Sequence, residues 1–143
     1  MPSAQRTIVI GRSPSDVFTF FADPANDQKW RPQVKEIAAD GPPGIGRKIH
    51  QVVEGPMGRG IAADTAVTAY EPPTHYAFQV VAGPARPRGE FRFSPSGAGT
   101  AVSFSLDAEL SGIKKLLLSR PVQRSMDGEM AGLDRAKQVI EAG

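Results

Sequence analysis

Two histidines are the residues of this chain best suited to proton chemistry near neutral pH, and one of them has a definable neighbour. If Gly55 to Arg59 is a hairpin loop, Glu54 pairs with Gly60, and counting back along both strands sets His50 opposite Asp64. A histidine beside a carboxylate is the material of general acid/base catalysis, with the imidazole pKa raised by the neighbouring charge. Strand parity opposes that use. His50 and Asp64 share the side of Lys48 and Glu54, opposite Ile49, Val53 and Ile61, so the pair is expected on the solvent face as a cross-strand charge pair. Catalysis by His50 and Asp64 would require both side chains to turn inward.

Other candidate chemistry is thinner. His75 follows Pro72-Pro73-Thr74 and is expected in a solvated turn. The GPPGIG run, Gly41 to Gly46, superficially resembles a phosphate-binding loop, but two of its residues lack an N–H and no helix start follows it. Arg86 and Arg88 sit in a Gly/Pro-rich connection and are expected in solvent, with recognition of an anionic ligand group as the alternative. The chain has no cysteine, which excludes disulfides and thiolate chemistry, and two histidines are too few for an ordinary catalytic zinc site. No metal and no cofactor is expected. With 17 basic against 15 acidic residues interspersed along the chain, nothing marks a nucleic-acid-binding face.

The elements that must position these groups are marked by turn residues and periodicity. Gln5 to Ile10 is short and β-branched and reads as a strand. Ser13-Pro14-Ser15-Asp16 starts a helix, with Ser13 as N-cap, Pro14 in the first turn and Val17, Phe18, Phe20 and Phe21 supplying its buried side. Asp23-Pro24 repeats the signal for a second short helix, reaching about Trp30 before Pro32. Six strands then follow, read as Val34 to Ala39, Arg47 to Glu54, Gly60 to Tyr70, Tyr76 to Val81, Gly89 to Ser94 and Thr100 to Ala108. Each gap holds Gly and Pro, the punctuation of a hairpin meander.

From Val122 onward, Val122, Met126, Met130, Leu133 and Ile140 keep to one side of a 3.6-residue helix. Ile113, Leu116 and Leu117 lie far around from that stripe, with Pro121 between the two groups. A kink or break near Ser119 to Pro121 is therefore expected, with the joint as a candidate gate. A length of 143 residues suits a single α+β domain, 1–143: a seven-stranded curved antiparallel sheet around a long C-terminal helix, with two short helices after the first strand. The N-terminus has an apolar run of only three residues and is expected to be neither signal peptide nor anchor, making the cytoplasm the default compartment.

Order and spacing together resemble a known family. An early strand is followed by S-P-S-D-V-F-T-F-F-A-D-P, then come Trp30 and Pro32, Gly46, Val67 with Tyr70-Glu71-Pro72-Pro73, Gly99-Thr100, Gly112 and the closing Leu133 to Glu141 segment. This is similar to the START-like, or SRPBCC, helix-grip superfamily and its polyketide cyclase/dehydrase-like branch. The resemblance implies an elongated apolar cavity between sheet and long helix, closed at one end by the short helices. It assigns no catalytic residue.

Alternation selects the residues that would line such a cavity. Phe91 and Phe93 alternate with charged neighbours, and so do Val102 and Phe104 with serines. Val53, Ala63, Thr65 and Val67 form the more apolar side of their strands, and Phe78 falls opposite Val67 if the turn after Glu71 has four residues. Met126 and Met130 face them from the helix, Trp30 lines the entrance or caps the core, and Gln51 and Thr65 can orient a polar handle. An interior so lined binds apolar surface and offers little to move a proton. The expected function is binding of a small hydrophobic or aromatic ligand, a lipid or polyketide-like metabolite, by a monomer or homodimer with no stable membrane insertion. The alternatives are a cyclase or dehydratase using one or two polar cavity residues, and an accessory protein whose cavity is filled and which acts through its surface.

Overall fold

The computed structural model describes residues 2–143. Strand β1 (Ser3–Ile10) leads into helix α1 (Pro14–Ala22), a single 3-10 turn (Pro24–Asn26) and helix α2 (Asp27–Trp30). Ser13 caps α1 as the sequence predicts, and Asp23 caps the 3-10 turn that leads into α2. The Ser13 side chain accepts from the amide of Asp16, and that of Asp23 from the amide of Ala25. Strands β2 (Val34–Asp40), β3 (Lys48–Glu54), β4 (Gly60–Ala62), β5 (Thr65–Glu71), β6 (His75–Val80), β7 (Arg88–Ser96) and β8 (Gly99–Asp107) follow, then helix α3 (Gly112–Ala142).

All pairings are antiparallel, in the order β1-β8-β7-β6-β5-β3-β2, with β4 also on β3. β4 and β5 are the two halves of the one strand predicted from Gly60 to Tyr70, so the sheet has the seven expected strand lines. The split falls at Ala63 and Asp64. There the Asp64 carboxylate accepts the Gln51 N–H at 3.2 Å, taking the place of a backbone carbonyl in the ladder. Register resumes in phase beyond the break, since Val52 pairs with Ala62 and Ile49 with Thr65. Val67 pairs with Phe78, as parity requires for a shared face, but the register slips by one residue before Ala69 pairs with Ala77.

α3 crosses the concave face along β1 and is fixed to it at three levels. Gln123 exchanges hydrogen bonds with the backbone of Ser3, Arg6 holds Asp134 and the Met130 carbonyl, and Glu141 accepts the Gly11 N–H at 2.7 Å. The match is metrical. Ser3 to Gly11 spans roughly 26 Å of extended chain, and Gln123 to Glu141 roughly 27 Å of helix. The stripe facing the sheet is Met126, Met130, Leu133, Ala136 and Ile140, all buried, with Val122 partly so.

Of the kink or break expected near Pro121, the break does not occur: α3 is one helix of 31 residues with Pro121 inside it. Proline removes the N–H that would satisfy the Leu117 carbonyl, yet Leu117 is exposed, so water can take that role. A gate hinged on a break at Ser119 to Pro121 loses its basis.

Candidate functional site

The space between sheet and helix is filled by aromatic side chains. Phe91 and Phe104, paired directly across β7 and β8, stack with centroids 4.1 Å apart. Phe21 of α1 stacks on Phe91 at 4.8 Å, and Phe18 meets Phe93 edge-on at 5.4 Å. Trp30 stands edge-on to Phe21 and Phe104. The open apolar cavity implied by the resemblance is thus occupied, in this structure, by the residues predicted to line it. Phe91, Phe93, Val102, Phe104, Val67, Thr65, Gln51, Met126, Met130 and Trp30 are buried, while Val53, Ala63 and Phe78 are half-buried. Phe78 lies over Gly89, its strand partner, where an added Cβ would stand 2.3 Å from the ring.

Trp30 is 3% exposed, and its Nε1 is the one buried side-chain polar atom without a hydrogen-bond partner among the described residues. An unmet buried donor costs about 1–3 kcal/mol, so this N–H is an open position for an acceptor.

Beside Trp30 lies a charged network that alternation along the strands did not reveal. Arg31 caps α2 and donates from Nε and Nη2 to both oxygens of Glu129 at 2.7 and 2.9 Å. Its Nη1 donates to Asp27 at 3.1 Å and to the Gln51 side-chain carbonyl at 3.2 Å. Gln33 donates to Glu129 at 2.8 Å, and the Gln51 amide reaches the Ala63 carbonyl at 2.9 Å. The Arg31 and Glu129 side chains are each 13% exposed. Burial pulls the Arg31 guanidinium down, but the carboxylates of Glu129 and Asp27 outweigh it and hold the proton more tightly than usual. Burial pushes the Asp27 carboxyl up to about 6 against the pull of Arg31. Burial, with Asp27 adding to it, also raises the Tyr76 phenol above its ordinary value.

The interior is therefore not free of titratable groups, contrary to the sequence-based expectation. Signals for them existed. Asp27 and Arg31 stand four apart, and Glu129 lies on the apolar stripe of α3, three residues after Met126 and four before Leu133.

A folded-state pKa of about 6 against an ordinary 3.8 means that the native protein holds this proton where the unfolded chain has released it. Asp27 thus contributes stability that is lost as pH rises from about 4 to about 6. Urea midpoints measured across that window should show the wild type losing ground relative to Asp27→Asn, which keeps a bond to Arg31 without titrating. A constant difference between the two proteins would contradict the shift.

His50 and Asp64 are brought together, Nδ1 to Oδ1 at 2.9 Å, on the solvent side of the sheet, where 56% and 40% of the side chains are exposed. The geometry is a surface charge pair, and the inward orientation required for catalysis is not met. His75 is not in a solvated turn. It begins β6 and lies between Glu71 at 2.8 Å and Glu90 at 3.0 Å, where hydrogen bonds from His75 and Arg92 outweigh burial and hold the Glu90 carboxyl below its usual range. Arg88 pairs with Asp107, and Arg86 bonds the Gly83 carbonyl within its loop. No group of three or more metal-ligating side chains gathers among the described residues.

One concavity reaches the aromatic core. About 280 Å³ in volume, it is lined by Thr19, Ala22, Asp23, Pro43, Arg47 and Tyr70, and the Tyr70 ring meets Phe18 at 5.4 Å.

A curved antiparallel sheet gripping a long C-terminal helix, with two short helices after the first strand, defines a helix-grip domain. The chain belongs to the polyketide cyclase / dehydrase and lipid transport family, whose model matches residues 1–141. Solved structures agree in fold. TTHA0849 from Thermus thermophilus is 21% identical with a TM-score of 0.81, covering 99% of this chain and 98% of that one. Ara h 8.0201 is 13% identical with a TM-score of 0.77, over 99% and 98% of the two chains. The di-domain ARO/CYC StfQ from the steffimycin biosynthetic pathway is 14% identical with a TM-score of 0.81, over 99% of this chain and 51% of that one. No sequence among curated proteins is similar enough to count as a match. No helix among the described residues is long and apolar enough to cross a membrane.

Proposed function

We propose that this cytoplasmic protein binds a flat hydrophobic or aromatic ligand bearing a hydrogen-bond-accepting oxygen, held between sheet and α3. The observation that carries this reading is the unpartnered Nε1–H of Trp30. A ligand carbonyl or hydroxyl at that point would recover a buried hydrogen bond, and rings displaced around it would stack on Phe91, Phe104 and Phe21. Val53, Ala63, Thr65, Val67, Phe78, Phe93, Val102, Met126 and Met130 complete the proposed lining. At about 280 Å³ the concavity beside Tyr70 is at the lower limit for a small-molecule site, so entry requires Tyr70 and Phe18 to part.

Trp30 is the only tryptophan, so its emission reports on the site directly. Titration with polycyclic aromatics and with fatty acids should give a saturable emission change for one class. At a hundredfold excess over Kd the midpoint of thermal unfolding should rise by about 10 °C. Trp30→Phe, which keeps the ring and loses the donor, should bind the same ligand about tenfold more weakly by calorimetry. Absence of any emission or thermal change across both classes would end this reading.

An enzymatic reading, cyclase or dehydratase, is favoured by a separate observation: Asp27 is an inward carboxyl with its pKa near 6, able to give and take a proton close to neutral pH. Turnover of a poly-ketone substrate, lost in Asp27→Asn with binding retained, would select it over binding alone.

A further inference from the structure

The first third of α3 has an apolar face that covers nothing. Ile113, Leu116 and Leu117 are 74%, 83% and 64% exposed. At 100° per residue Ile113 and Leu117 point away from the stripe of Met126, Met130 and Leu133, Leu116 lies at its flank, and Arg120 and Arg124 continue the line of Ile113 and Leu117 along the helix. About 16 Å of helix precede Gln123, the first residue of α3 bonded to the sheet, so this segment overhangs the end of β1.

The charge within it has one sign. Residues 110–126 hold Lys114, Lys115, Arg120 and Arg124 and no carboxylate, while the remainder of the chain carries 13 basic against 15 acidic residues. The antiparallel pairings bring two more connections to the same end of the sheet. One is the β3–β4 turn, where Met57 is fully exposed at φ 60 between Pro56 and Gly58, with Arg59 beside it. The other is the β6–β7 connection, with exposed Val81 and Arg86. Carboxylates at this end include Glu54, Glu109, Asp107, Asp64 beside Val81 and Asp127 one turn beyond Gln123; Asp107 is taken by Arg88 and Asp64 by His50, and Asp127 accepts from Gln123.

We infer that this end of the molecule is a docking surface for an anionic phospholipid bilayer, with Ile113, Leu116, Leu117 and Met57 entering the interface and Lys114, Lys115, Arg120 and Arg124 facing the headgroups. Apolar side chains flanked by cations on a projecting helix suit that occupant, because burial of the apolar groups and attraction of the cations to anionic headgroups add together there. A nucleic acid would use the cations and leave the leucines in water.

Flotation with phosphatidylcholine vesicles containing phosphatidylglycerol should carry the protein up the gradient. Binding to pure phosphatidylcholine should be at least about tenfold weaker, and raising the salt to about 0.5 M should weaken it similarly. Leu116→Glu with Leu117→Glu, and separately Lys114→Glu with Lys115→Glu, should each abolish flotation with thermal unfolding unchanged, since all four side chains are exposed. Flotation of the leucine variant like wild type would overturn the proposal. So would a wild-type dimer in sedimentation that the leucine variant dissociates, without vesicle binding, since the face would then be covered by a second copy.

Discussion

Replacing Glu129 with alanine is expected to cost about 3–5 kcal/mol of folding stability, read as a fall in the urea midpoint at unchanged slope. Arg31 is charged at any accessible pH, and among the described residues Glu129 supplies the one carboxylate that meets it with two bonds. Without Glu129, the guanidinium keeps Asp27, which burial tends to neutralise, and the neutral carbonyl of Gln51. Gln33 loses its acceptor as well. The comparison that isolates the cause is Arg31→Met combined with Glu129→Leu. Removing both charges leaves no buried cation unpaired, and what remains is the loss of neutral or neutralisable partners at Gln33, Gln51 and Asp27, so the pair of substitutions should be milder than Glu129→Ala alone. A cost below about 1 kcal/mol for Glu129→Ala would mean that water already solvates Arg31 and that the site beside Trp30 is wet.

The residues of this network also mark the boundary of what periodicity can reveal. Counting from the Gly55–Arg59 loop placed His50 against Asp64, and the structure has that register, because strand pairing is a local rule carried through a short turn. The caps at Ser13 and Asp23, the hairpin order and the stripe of Met126, Met130 and Leu133 were legible for the same reason. Glu129 reaches Arg31 across 98 residues, and no local pattern encodes which buried carboxylate meets which cation. The split between β4 and β5 depends on one side chain, Asp64, replacing a backbone acceptor. Pro121 does not break the helix, because its cost depends on what surrounds the freed carbonyl, and an overhanging helix leaves it to water. The aromatic residues were correctly read as inward, but alternation cannot tell a ring that lines a cavity from one that fills it.

Phe104→Ala addresses that last ambiguity and carries the other large effect. Phe104 is buried, stacked on Phe91 and 6.3 Å from Trp30, so its removal should cost about 3–5 kcal/mol through lost transfer energy and the void left behind. The void is the size of a phenyl ring and apolar on its Phe91 side, so it should stay dry and accept a single-ring aromatic. Thermal unfolding of the variant with benzene should recover part of the loss, and wild type should not respond to benzene. The response to larger ligands then separates the readings. If the interior opens to take a polycyclic ligand, wild type binds it already, and Phe104→Ala shifts the preference toward bulkier members of the series. If the rings are a permanent filling and the domain acts through its surface, the variant binds the fragment alone and neither protein binds anything larger. The two outcomes differ because a ligand that must part Tyr70 from Phe18 pays that cost in both proteins, whereas a fragment that fits the void finds its space already open in the variant and no space in wild type.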